Sequence, residues 1–352
     1  MPQPRVAQGS VNPPDHSEVV DFHRGKNIGR HILTDSRVNQ LQMPCTIGSI
    51  SAGYAHLTMH PLQAFILGVI EGITEYLPIS STGHLLVAQH LMGIGTATPT
   101  EKAAADTFAI CVQGGAILAV VGVYFKRVMQ MLRGLIGQDH EGLKLAIMIV
   151  AGFLPAAIIG LIFNDKIEEK LFGMWPVIIA WIVGGVLILA TAAWRKNKPN
   201  RGEGKDLLEM TVKMALAIGL LQCVAMWPGT SRSLMTIVGG LIVGLSIRAA
   251  VEYSFLLGVV TLTAATAKKA LWKVEGLDPS YEVWFGGTKL MWDTYGPLPL
   301  FVGIFAAAVS AAVAVKWLVS YLQSHGLSVF GWYRIALGIA IGGLLATGVL
   351  AL

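Results

Sequence analysis

Six runs of roughly 20 or more apolar residues recur along the chain, at Ala104–Phe125, Leu143–Phe163, Trp175–Trp194, Ile247–Ala270, Leu298–Leu322 and Trp332–Leu352. As helix, each is long enough to cross a hydrocarbon core about 30 Å thick. Lipid offers no partner to an open backbone, so only helices and closed barrels span it. Strand-like alternation of apolar and polar residues is absent, which excludes a barrel. An all-α integral membrane protein follows. The composition agrees: 54% of residues are hydrophobic and 13% are charged, against roughly 25% charged in soluble domains.

The formal net charge of +5 does not point to nucleic acid, because the cations sit in short loops between spans. Lys126, Arg127 and Arg133 follow the first run, and Arg195, Lys196, Lys198, Arg201 and Lys205 follow the third. Both loops lie on one side of the membrane, and the positive-inside rule makes that side cytoplasmic. Residues 1–60 are polar, contain Pro13-Pro14 and lack the apolar core of a signal peptide. They are expected to be disordered, leaving 61–352 as one membrane domain; an internal start at Met59 would also fit. Cys45, Cys111 and Cys223 show no paired or metal-ligand spacing and are expected to be inert.

Two further apolar segments are interrupted. Leu62–Met92 is broken at Leu77-Pro78, and Leu207–Gly244 is broken at Trp227-Pro228-Gly229. Aligning Pro78 with Pro228 places Ser80 on Thr230 and Ser81 on Ser231, and three full spans follow each break. An odd number of spans turns the second copy upside down, so halves of about 61–205 and 206–352 form an inverted-topology repeat. Proline removes a backbone donor and clashes with the preceding turn. Each broken segment is therefore expected to be a re-entrant helical hairpin, with a proline-kinked span as the alternative. The tips of two such hairpins should meet, because irregular backbone at that depth must be covered by protein or line a cavity.

The polar residues of the two breaks carry the chemistry. In "EGITEYLPISSTGHLL" (Glu71–Leu86), Glu71 and Glu75 are one helical turn apart and share a face. Each carboxylate near the bilayer centre costs about 2.5–3.5 kcal/mol, so something must face them. Ser80, Ser81 and Thr82 stand where a helix restarts after Pro78 and can cap its free N–H groups. His84 lies one turn beyond Ser81. In "WPGTSRS" (Trp227–Ser233), Thr230 or Ser231 caps the next helix, and Arg232 falls in its first turn. A cation opposes the helix dipole there, whereas an anion bound by both would explain it. Two opposed helix ends converging on one anionic group suit phosphoryl transfer.

The motifs "EGITEYLPISSTGH" and "PGTSRS", in this order and separation, resemble the two signatures of the bacterial undecaprenyl-pyrophosphate phosphatase family, also called the bacitracin-resistance protein. The similarity continues through Gln113–Arg127, Ala151–Phe163 and Val251–Gly258 and covers nearly everything from Leu62 onward; residues 1–60 have no counterpart. The resemblance implies a hydrolase of the inner membrane. Its active site would face the periplasm and remove the terminal phosphate of undecaprenyl pyrophosphate, regenerating the carrier for cell-wall synthesis and conferring bacitracin resistance. It implies dependence on a divalent cation, Mg²⁺ or Ca²⁺. Carried over residue by residue, Glu75, Ser81, His84 and Arg232 would be catalytic. Ser80, Thr82, Thr230, Ser231 and Ser233 would line the phosphate pocket, and Glu71 and Glu75 would hold the metal.

The expected partners are the lipid substrate, the bilayer and, as one option, a second copy in a homodimer. Three attacking groups stay open: Ser81 activated by Glu75 or His84, His84 itself, or water. The competing function is a secondary transporter or flippase, which builds mid-membrane anion sites from the same broken, inverted helices.

Overall fold

The computed structural model describes residues 59–196, 204–271 and 279–350. The expected disorder of residues 1–60 falls almost wholly outside them, as does Cys45; Cys111 and Cys223 are free thiols. Among the described residues the chain is helical, in the order α1 (Pro61–Tyr76), α2 (Ser81–Leu91), α3 (Pro99–Val123), α4 (Phe125–Leu135), α5 (His140–Leu171), α6 (Met174–Lys196), α7 (Val212–Val224), α8 (Arg232–Ile242), α9 (Ile247–Leu271), α10 (Gly286–Tyr295), α11 (Pro297–Ser324) and α12 (Ser328–Ala346). Helices α3, α5, α6, α9, α11 and α12 are long and apolar enough to span a membrane. The chain is a multi-pass membrane protein.

The two interrupted segments are helical hairpins. Gln63 near the start of α1 donates to the carbonyl of Met92 just past α2 (3.4 Å), so the hairpin closes on itself. Gly239 of α8 likewise sits against Ile218 and Leu221 of α7. Not every proline breaks its helix: Pro155 lies inside the continuous α5.

Packing interlocks the two halves. Helix α1 lies along α11, α7 along α5, α3 against α9, and α6 against α12. Small residues allow these approaches, as is general between helices in lipid. A Cβ at Gly68 would stand 2.3 Å from the Gly303 carbonyl oxygen, and one at Gly219 would stand 2.4 Å from that of Gly152. These contacts are repeat mates, since one constant offset relates Gly68 to Gly219, Gly152 to Gly303 and Ser80 to Ser231.

That offset corrects the register drawn from the prolines by one position. Ser80 and Ser231 share an unusual backbone, φ 74 with ψ 104 and φ 79 with ψ 114, and each immediately precedes a helix. Ser81 therefore corresponds to Arg232, and Pro78 to Gly229. Proline marked the breaks without marking equivalent places in them, because more than one residue near a tip can end a helix.

Candidate active site

The site forms where the hairpin tips meet. Helix α1 stops at Tyr76 because Leu77, preceding a proline, is extended (φ −74, ψ 147). Three residues later Ser80 turns the chain at positive φ, and α2 begins at Ser81. In the second tip Gly229 (φ 93) and Ser231 (φ 79) make the turn, and α8 begins at Arg232. A non-glycine residue in such a conformation costs on the order of 1–3 kcal/mol, so the surroundings must enforce it. Both helix starts thus place their first side chains, Ser81 and Arg232, in the shared interior.

Glu75 joins the tips. Its Oε2 accepts a hydrogen bond from Ser81 Oγ at 2.5 Å, and its Oε1 pairs with Arg232 Nη2 at 3.1 Å. Both members of the ion pair are buried, with 6% and 9% of their side chains exposed. Arg232 Nη1 donates to the Ser254 carbonyl (2.9 Å), and the guanidinium carbon lies 5.4 Å from the Tyr76 ring centroid. Gly258 leaves room for the guanidinium, since a Cβ there would be 2.4 Å from Nη1. Removing either partner would strand a buried charge at a cost of several kcal/mol.

Among the described residues, buried polar atoms of Glu71, Tyr76, Trp181, Gln222 and Arg232 are left without protein partners, and those of Glu71 and Arg232 flank the ion pair. Both carboxylate oxygens of Glu71 are buried and unbonded, as is Arg232 Nε. Buried polar groups are nearly always satisfied, so orphaned acceptors and an orphaned donor around one ion pair mark a site built for a ligand. Glu71 stands one turn from Glu75 on α1, and its oxygens are hard donors suited to Mg²⁺ or Ca²⁺. No cluster of three or more metal-ligating side chains occurs among the described residues. Of the two expected metal ligands, Glu71 offers a cation two free oxygens, whereas both oxygens of Glu75 are already engaged by Ser81 and Arg232.

The other expected residues divide. Ser231 Oγ caps α8 by accepting from Leu234 N (3.3 Å), and lies 3.0 Å from Ser233 Oγ. Ser233 Oγ in turn donates across to the Leu77 carbonyl of the first tip (2.9 Å). Ser80 occupies the cap of α2, yet its side chain makes no capping bond. Thr230 is buried in the second tip. Thr82 points away: it is exposed and joins none of the hydrogen bonds of the cluster. His84 does not bond to Ser81 or Glu75. Its Nδ1 meets the Ser80 carbonyl (2.6 Å) and its Nε2 meets Tyr333 Oη (2.8 Å), with its ring near that of Trp181.

The sequence reading missed Tyr333, Trp181 and, above all, Arg334. Arg334 is fully buried in α12. It donates to Pro78 O (3.3 Å) in one tip and Gly229 O (2.8 Å) in the other, and to Ala180 O (2.8 Å) and Trp181 O (3.2 Å) of α6. Gly184 gives it space, because a Cβ there would sit 2.3 Å from Nη2. The reasoning that singled out Glu71 applies equally to an arginine inside an apolar span, and would have found it. No comparable signal marks Ser254, which acts through its backbone.

Fold and site together define a polytopic helical membrane protein with a buried, phosphate-competent polar centre between two hairpin tips. The chain belongs to the family of the bacitracin resistance protein BacA, whose model matches residues 64–340. It is 40% identical over 279 residues to an undecaprenyl-diphosphatase of Sorangium cellulosum, covering 79% of this chain and 84% of that one. It is 41% identical over 280 residues to undecaprenyl-diphosphatase 2 of Rhodospirillum rubrum, covering 80% and 93%. A Janthinobacterium undecaprenyl-diphosphatase is 41% identical over 281 residues, with the same coverage.

Proposed function

We propose that this chain is an undecaprenyl-diphosphatase, removing the terminal phosphate of undecaprenyl pyrophosphate at the Glu75–Ser81–Arg232 cluster. The observation that carries the mechanism is the 2.5 Å hydrogen bond from Ser81 Oγ to Glu75, on a carboxylate already held by Arg232. A hydroxyl bonded to an oriented base is an activated nucleophile.

In the step this favours, Glu75 takes the Ser81 proton as Oγ bonds to the terminal phosphorus. The bridging P–O bond breaks and undecaprenyl phosphate leaves. Water then attacks the phosphoserine; Glu75 returns its proton to Ser81 Oγ as the P–Oγ bond breaks, the water's hydroxyl leaves on inorganic phosphate, and its second proton passes to solvent. Arg232, freed from Glu75 as that carboxylate is protonated, turns its donors, including the unpartnered Nε, to the phosphoryl oxygens. The N-termini of α2 and α8 add positive potential from both sides. A divalent cation, held by the two partner-free oxygens of Glu71, would supply positive charge to the diphosphate when bound. His84, fixed by Tyr333 and the Ser80 carbonyl, has no route to the Ser81 proton and is assigned to the mouth of the site.

The two hairpins are read as re-entrant. Helices of 16 and 11 residues in the first, and 13 and 11 in the second, are too short at about 1.5 Å per residue to cross about 30 Å of hydrocarbon. By the positive-inside rule, the cations of α4 and the end of α6 support a cytoplasmic assignment for that side, with the α1–α2 hairpin entering from the periplasmic side of the inner membrane.

Phosphate release by purified protein in detergent micelles, where no gradient can exist, tests enzyme against carrier. Rapid quenching with ³²P-labelled substrate tests the nucleophile. Label on Ser81 is the expected result; full activity of Ser81→Ala would eliminate it as the attacking group.

A further inference from the structure

A second polar feature lies at the other end of the spans. The α2–α3 connection leaves α1, α2 and the start of α3 at one membrane face, and α3 carries the chain over 25 residues to the opposite face. There the end of α3, the start of α9 and the end of α11 enclose a pocket of about 270 Å³. Val123, Val251, Val319 and Leu322 give it apolar walls, and Arg248 and Lys316 contribute cationic side chains. The one carboxylate in its lining, Glu252, is already paired with Arg127 at 2.8 Å. Neither Arg248 nor Lys316 makes an ion pair or hydrogen bond among the described residues. The pocket thus carries uncompensated positive charge, and the N-terminus of the 25-residue α9 adds to it.

This pocket is separate from the Glu75–Arg232 centre. Tyr124 in its wall contacts Phe255 edge-on (6.2 Å between centroids), and Phe255 contacts Tyr76 in the same way (5.1 Å). Those rings form an apolar layer whose far side, Tyr76, lies against Arg232.

We infer that the pocket formed by α3, α9 and α11 binds the phosphate-bearing headgroup of an anionic membrane lipid on the cytoplasmic face. Charge selects an anion, and depth selects a lipid. Trp317, exposed next to Lys316, stacks on Tyr321 (5.1 Å), and such aromatic pairs sit at headgroup level. Basic pockets between spans at that level recognise lipid phosphates. The apolar walls would be wasted on a free ion, whereas they fit the glycerol and first methylenes of a lipid. The inference is independent of the proposed catalytic activity.

Native mass spectrometry of the delipidated protein in uncharged detergent, titrated with phosphatidic acid, phosphatidylcholine or inorganic phosphate, tests it. One phosphatidic acid should be retained per chain and resist excess phosphatidylcholine and inorganic phosphate. Arg248→Gln/Lys316→Gln should weaken it about thirtyfold, the loss expected for two cations at an anionic surface. Lys126→Gln/Arg133→Gln, which removes two exposed cations of α4 outside the pocket, should change it less than about twofold, since distant surface charge is screened. Val319→Trp, filling the pocket while keeping both charges, should also abolish retention. Equal loss in the two charge variants, or unaltered retention in Val319→Trp, would overturn the pocket. Displacement by inorganic phosphate at equal concentration would overturn the lipid.

Discussion

Replacing Arg334 with methionine keeps much of the side-chain volume and removes all its donors. Two of its four bonds, to Gly229 O and Ala180 O, are short at 2.8 Å; those to Trp181 O and Pro78 O are 3.2 and 3.3 Å. A hydrogen bond to a charged group contributes about 1.5–3 kcal/mol net, so the two short ones alone amount to about 3–6 kcal/mol. That is a large share of a typical stability of about 5–15 kcal/mol. The Pro78 and Gly229 carbonyls belong to opposite tips, so the loss falls on the contact that aligns Ser81 with Arg232. Arg334→Lys supplies a cation that reaches fewer of the four carbonyls and should fall between. Thermal unfolding in detergent and phosphate release should be measured together. Arg334→Met should show the largest fall in melting temperature, and Arg334→Lys should lose turnover more than substrate affinity. A methionine variant with the melting temperature and turnover of the parent would refute the view that Arg334 clamps the tips.

Three further outcomes follow from the same geometry. Arg232→Ala should lower kcat roughly 10²–10³-fold in detergent, the scale of a lost transition-state donor, and near-normal turnover would remove it from the mechanism. Gly258→Ala places a methyl 2.4 Å from Arg232 Nη1; turnover should drop sharply and the melting temperature should fall as the buried guanidinium is displaced, and a variant that keeps the parent's turnover would mean that Gly258 serves packing alone. Ser80→Gly relieves a positive φ without losing a capping bond, so the melting temperature should rise by about 2–4 °C per kcal/mol recovered, as differential scanning fluorimetry would read.

The recurrence of polar breaks was visible in the chain, whereas their equivalence was not. Aligning Pro78 with Pro228 misses the structural match by one residue, because helix termination tolerates several positions. The matched conformations of Ser80 and Ser231, and the paired Gly68–Gly303 and Gly219–Gly152 contacts, establish the offset. The assignment of His84 shows a similar limit. Its spacing from Ser81 puts both on one helical face, but a shared face allows contact without requiring it, and Tyr333 from the distant α12 takes the imidazole nitrogen.

By itself the sequence determined that this is a helical, multi-pass protein and where its spans lie, since apolar length against hydrocarbon thickness is a local quantity. It also determined that Glu71, Glu75 and Arg232 need partners, since a charge in lipid is costly wherever it sits. Only the tertiary structure decided that Glu75 bonds Ser81 and Arg232 at once, that His84 turns elsewhere, and that Arg334 ties both tips. Those choices depend on distances between segments more than a hundred residues apart, which are set by close helix packing at small residues and by the mutual satisfaction of buried polar groups.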